Sequence, residues 1–93
     1  MSIYFLSRQE RNVSNKIRKF IIAQLEKKAP IPEESDIDNY RFLDTGHIDS
    51  MGLIKFILEI ENEFDIALET EDTQSDEFRY ISGLVRIIED KLK

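Results

Sequence analysis

The 93-residue sequence contains no cysteine, no tryptophan, one histidine, three glycines and two prolines. Each scarcity narrows what the chain can be. Without cysteine there is neither a disulfide framework nor a thiolate metal site, and any thiol chemistry must come from a group attached to the chain. A single histidine, His47, supplies no histidine-rich ligand set. No stretch alternates apolar and polar residues as a half-buried strand does, and no long-period repeat or low-complexity segment occurs. No apolar run approaches the roughly 20 residues that cross a bilayer. Met1-Ser2-Ile3-Tyr4-Phe5-Leu6 is apolar but short, and it lacks the basic start of a signal peptide; the expected compartment is the cytoplasm, with no membrane insertion.

With 41% apolar residues the chain can bury one small core with little stability to spare, so no second domain is expected. Residues 1–12 read as an N-terminal extension or the start of a first helix, and residues 13–93 as the domain proper. Charge is uneven. Residues 1–28 carry seven Lys/Arg against two Glu, whereas residues 29–93 carry six against seventeen Asp/Glu, for a formal net charge of −6. That balance speaks against nucleic acid as the main partner, because a phosphate backbone wants a basic footprint. The basic first segment reads as the solvated face of a helix. The acidic remainder should steer toward basic docking surfaces.

Helical spacing is clear in three places. Val13, Ile17, Phe20, Ile21 and Leu25 form one stripe, closed by Lys27, Lys28 and then Pro30 and Pro32. Ser7-Arg8-Gln9-Glu10 has capping-box spacing and predicts a start at Arg8, while Asn12 or Ser14 would cap a shorter helix. A second stripe follows Ser50, with Leu53, Phe56, Ile57, Ile60 and Phe64 on the face assigned to the core, and Met51, Ile54 and Leu58 flanking it. The flanking residues are either buried under another helix or exposed for a partner. The third stripe is Leu84, Val85, Ile88 and Leu92, anchored by Ile81, with Ser82 as the expected cap and Gly83 allowing close packing. Between the second and third stripes, an acidic stretch is expected to hold a short helix around Ser75 to Tyr80.

The twenty residues from Ala29 to Ile48 make a connection longer than compact domains usually carry. Ile31, Ile37, Tyr40, Phe42 and Leu43 are expected to pin it to the helices. Asp36, Asp38 and Asp44 invite a calcium reading. It fails because Arg41 stands where an EF-hand starting at Asp36 needs Gly, and His47 where it needs a bidentate Glu.

Asp44-Thr45-Gly46-His47-Ile48-Asp49-Ser50-Met51-Gly52-Leu53 joins that connection to the second helix. Asp44-Thr45-Gly46 is turn chemistry, with Gly46 able to take positive φ. Asp49 is a good N-cap, which leaves Ser50 in the first helical turn, where free N–H groups and the macrodipole favour an anion such as a phosphate ester. Locally, a helix cap after a turn is the simpler reading of Ser50. His47 lies three residues from it, but no strand precedes Ser50 to form a nucleophile elbow, so His47 is expected to be an exposed loop residue and not a base.

Gly46-His47-Ile48-Asp49-Ser50-Met51, the apolar run through Phe64 and the ending Glu61-Asn62-Glu63-Phe64-Asp65 together resemble the acyl carrier protein family, in an Asp-Ser-Met variant of its usual Asp-Ser-Leu motif. The pattern covers roughly residues 14 to 92. The resemblance implies an all-α, four-helix acyl-carrier-like bundle, three helices longer and one short, with a long first loop. It implies that Ser50 is esterified by a 4′-phosphopantetheine arm derived from coenzyme A, whose thiol holds acyl or aminoacyl groups as thioesters for fatty acid or secondary metabolite biosynthesis. Asp49 would help a phosphopantetheinyl transferase engage the motif, and Met51, Ile54, Lys55 and Leu58 would dock partners. Such a protein is not itself an enzyme; an acyl- or aminoacyl-loading (adenylating) enzyme and downstream transfer enzymes would do the bond-making, with the carrier a monomer.

The sequence departs from fatty-acid-type carriers at Gly52 and Lys55, where that group is usually acidic, which argues against a standard fatty acid synthase partner; Met51-Gly52 after Asp-Ser is instead similar to D-alanyl and aminoacyl carriers that serve adenylating enzymes. The other readings are an unmodified helical adaptor in which Ser50 is only a cap, and a small hydrolase using Ser50, for which no base or oxyanion arrangement is evident.

Overall fold

The computed structural model describes the backbone of residues 2–32 and 36–93 and the side chains of residues 13–32 and 36–93. Four α-helices follow one another: α1 (Ser2–Glu26), α2 (Ser50–Phe64), the single turn α3 (Thr70–Thr73) and α4 (Ile81–Leu92), with 3-10 turns at Ile37–Asn39 and Asp76–Arg79. Among the described residues there is no strand, and the chain is an all-α bundle of three longer helices and a short one. α1 starts ahead of Arg8 and passes Asn12 and Ser14 without a break, consistent with a stretch free of Gly and Pro up to Pro30. The Ser7/Glu10 box and the packing of Ile3 to Leu6 concern side chains outside those described.

The core is built from one stripe of each long helix. Ile17, Ile21 and Leu25 of α1, Phe56 and Ile60 of α2, and Ile81, Leu84 and Ile88 of α4 are buried, and Phe42 from the first loop fills the space between them. Phe42 meets Phe56 edge-to-face, with ring centroids 5.7 Å apart. Leu53, Ile57 and Phe64 are half-buried and pack against this cluster, Phe64 edge-on to Phe20 at 5.4 Å. Two stripes are shorter than their spacing suggests. Val13 and Leu92, each the end residue of its stripe, are exposed.

The first loop is held as its apolar residues predict, with Ile31 and Phe42 buried and Ile37, Tyr40 and Leu43 partly so. Its aspartates are engaged by protein groups. Asp38 accepts from Arg18 Nε at 2.7 Å, Asp36 from Asn39 Nδ2 at 2.8 Å, and Asp44 from Arg41 and Arg79. No cluster of three or more metal-ligating side chains occurs among the described residues.

The second half contains what the spacing misses. α3 has no apolar stripe; its start is closed by Asp72, whose carboxylate accepts from the Glu69 N–H at 2.9 Å, and Lys91 of α4 pairs with the same carboxylate at 2.8 Å. Where a short helix is expected around Ser75 to Tyr80 there is the 3-10 turn Asp76–Arg79 instead, capped by Ser75 and with Phe78 buried. α4 begins at Ile81 behind an extended Tyr80, so Ser82 is a helical residue and not the cap. Gly83 is indispensable to the packing here, since a Cβ on it would sit 2.2 Å from the Glu77 carbonyl oxygen. The 3-10 turn thus lies directly on the first turn of α4.

Candidate functional site

The loop ahead of α2 is fixed from both sides before Ser50 is reached. Backbone bonds from Thr45 N–H to the Arg41 carbonyl (3.0 Å) and from His47 N–H to the Phe42 carbonyl (3.1 Å) close the turn, with Gly46 at φ 78° as its sequence predicts. Asp44 accepts from Arg41 Nε at 2.6 Å and from Arg79 at 2.6 and 2.9 Å, while Arg41 also pairs with Asp76 and stacks over the Tyr80 ring. These charges tie the turn to the start of α4. The Arg79 guanidinium, and then Arg41, hold the Asp44 carboxyl below the usual carboxylate range; Asp76 and Asp44 in turn push Arg41 up.

His47 secures the other side, and it is not the exposed loop residue expected of it. The ring is half-buried. Its Nε2 lies 2.8 Å from the Leu25 carbonyl and its Nδ1 2.8 Å from Tyr40 Oη. A carbonyl only accepts, so Nε2 carries a proton, and in the neutral ring Nδ1 accepts from the tyrosine hydroxyl. The Leu25 carbonyl, which closes α1 by accepting from the Lys28 and Ala29 N–H groups, takes the His47 ring as a further donor. With both nitrogens engaged elsewhere, His47 is not poised as a base for Ser50.

Ile48 is buried and anchors the chain where it turns into the helix. Asp49 is the N-cap: its backbone is extended (φ −86°, ψ 179°) and its carboxylate accepts from the Gly52 N–H at 2.7 Å. Ser50 is therefore released from capping duty. It is exposed in the first turn of a 15-residue helix. Beside it Met51 is 83% exposed, and Ile54 and Leu58 are 64% and 59% exposed on the same helix, so the flanking stripe faces outward and is not buried under a neighbour. Lys55 is exposed next to Ile54.

α2 ends as abruptly as it begins. Asp65 adopts the left-handed conformation (φ 52°), its N–H and that of Ile66 both return to the Glu61 carbonyl, and the Glu61 carboxylate accepts from the Leu68 N–H at 2.7 Å. The acidic ending of the helix is thus a stop that folds the following loop back.

Sequence spacing brings Asp49, Ser50, Met51, Ile54, Lys55 and Leu58 to one end and one side of α2. It misses Tyr40, Arg41 and Arg79 as supports of the motif; Arg79 reaches Asp44, and Arg41 reaches Asp76, across 35 residues that carry no local signal. It misses also that Lys27 and Lys28 lie near the start of α2, where Lys28 Cε would come within 3.6 Å of a Cβ at position 52.

No family model matches the chain. It is similar to the acyl carrier protein of Buchnera aphidicola subsp. Schizaphis graminum, 38% identical over 63 residues that cover 68% of this chain and 75% of that protein. The aligned length takes in most of an all-α bundle whose second helix opens on a capping aspartate and an exposed serine, and the chain belongs to the acyl carrier protein family.

Proposed function

We propose that the chain carries acyl groups as thioesters on a 4′-phosphopantetheine arm esterified to Ser50, and presents them to partner enzymes. The observation that carries this reading is the division of labour at the start of α2: Asp49 supplies the cap, and the Ser50 hydroxyl stands exposed beside it. Membership of a carrier family supports it. The residues present fit such a group. A phosphodiester on Ser50 Oγ would lie by the first-turn N–H groups of a full-length helix, where an anion is favoured by about 0.3–1 kcal/mol. The arm would supply the thiol that this cysteine-free chain lacks.

The chain's own contribution is positional. Asp44, His47 and Ile48 fix the turn, Asp49 holds the helix start, and Asp49 also offers a carboxylate to a transferase and its metal. Met51, Ile54 and Leu58 form the apolar centre of a docking face, with Lys55 as a charge on it. Interfaces of this size need such an apolar centre inside a polar rim. Bond-making belongs to the partners: the transferase that installs the arm, a loading enzyme and the acyl-transfer enzymes that follow.

Intact mass after incubation with coenzyme A, magnesium and a broad-specificity phosphopantetheinyl transferase tests the reading. Wild type should gain one arm and Ser50→Ala none. A folded wild-type sample that gains nothing would return Ser50 to a surface serine on an unmodified adaptor.

A further inference from the structure

A cleft of about 220 Å³ opens between the end of α1 and the first turns of α2. Its floor is apolar, formed by Ile48, Phe56 and the bare backbone of Gly52, and Lys27, Lys28 and Lys55 stand around it. Glu59 is the one acidic residue among its described lining. Gly52 leaves this edge of the cleft uncrowded: a Cβ there would meet Asp49 Oδ1 at 3.0 Å, Ile48 Cγ2 at 3.4 Å and Lys28 Cε at 3.6 Å. A carrier with a net charge of −6 has therefore concentrated cations around a small apolar recess two residues from Ser50.

Resting on the reading of Ser50 as the attachment point, we propose that this cleft receives the far end of the cargo and favours acyl groups that end in a carboxylate over those that end in an ammonium or a methyl group. Methylenes suit the floor. Three ammonium groups attract a terminal carboxylate and repel a terminal ammonium, and their strongly hydrated point charges screen out in salt. The cleft adjoins the same end of α2 as Ser50, so a folded-back arm brings its tip there. The preference runs against an aminoacyl cargo, the direction in which Met51-Gly52 points when read as sequence alone.

Three cargoes of equal chain length separate the possibilities: succinyl, β-alanyl and butyryl arms, transferred to Ser50 from their coenzyme A thioesters, alongside the unacylated arm. The readouts are the amide resonances of Gly52, Lys55 and Phe56 and the melting temperature. The succinyl form alone should move those resonances relative to the unacylated arm and should melt about 2–4 °C above the butyryl form, the size of one exposed charge pair in a domain this small. The difference should vanish at about 1 M salt, where screening reaches about 3 Å. It should vanish also in Lys27→Ala/Lys28→Ala/Lys55→Ala and shrink in Lys55→Ala, each compared with its own butyryl form. Equal behaviour of the three cargoes overturns the proposal. So does a full shift already present with the unacylated arm, which would make the arm's phosphodiester the anion in the cleft. Failure of every arm to attach removes the Ser50 reading, and this proposal with it.

Discussion

Asp49 has one role that the structure displays and one that is proposed for it, and substitution separates them. As a cap it needs only an oxygen that accepts from the Gly52 N–H, which asparagine also provides. As a feature that a transferase and its metal engage, it needs the negative charge. Asp49→Asn should therefore cost no more than about 1 kcal/mol of stability in a denaturant melt. In a mass-spectrometric time course the same variant should slow arm attachment by about tenfold or more, a loss of roughly 1.4 kcal/mol at the transition state. Unchanged attachment would make Asp49 a cap and nothing else. At this scale the site was legible where its chemistry is local. The Asp49 cap and the positive φ of Gly46 follow from residues within a few positions of each other, whereas local chemistry alone reads Ser50 as a cap, a role that the structure gives to Asp49. The burial of His47 is not legible there, because its two partners, Tyr40 and the Leu25 carbonyl, lie 7 and 22 residues away, and nothing in the spacing marks them.

Elements show the same divide. The long helices declare themselves by apolar stripes, whereas α3 has none and exists through Asp72, which closes its start and pairs with Lys91. The start of α4 was displaced for a related reason. Its first turn is set by the tight approach of the Asp76–Arg79 turn at Gly83, and Ser82 contributes no cap. Gly83→Ala should raise helix propensity, yet the new methyl group would collide with backbone that has no rotamer to relieve it. The net outcome should be destabilisation by about 1–3 kcal/mol, read as a lower urea midpoint. A neutral or stabilising result would mean that the 3-10 turn yields at little cost.

For the whole molecule, the acid limb of stability should reflect carboxylates paired across the chain. Arg79 and Arg41 hold Asp44 below its ordinary range; burial pushes Asp72 up, but Lys91 and the Glu69 N–H outweigh it and leave that group lowered too. A group depressed by folding contributes its full stabilisation above its unfolded-state value, near pH 4, and loses it as pH falls through the lower folded value. Urea midpoints should hold steady down to about pH 4 and then decline. In Asp44→Asn the decline should be shallower, from a lower starting plateau. An identical acid limb in the variant would take Asp44 out of the account. These long-range pairs, with the lysine cleft, are the part of the molecule that the sequence kept hidden: Asp44 and Arg79 are 35 residues apart, and they become neighbours only when the bundle closes.

The turn before Ser50 is bolted to α1 through His47 and to the 3-10 turn ahead of α4 through Asp44, so Ser50, the attachment point proposed above, is a fixed coordinate of the whole body. Anything tethered there explores a sphere with a stationary centre, and an enzyme that grips any face of the bundle already knows where that centre lies. Its effective concentration of cargo is then set by tether length and grip geometry alone. Loosening either bolt would blur the centre and dilute the cargo at every partner at once, without touching a residue that any partner contacts.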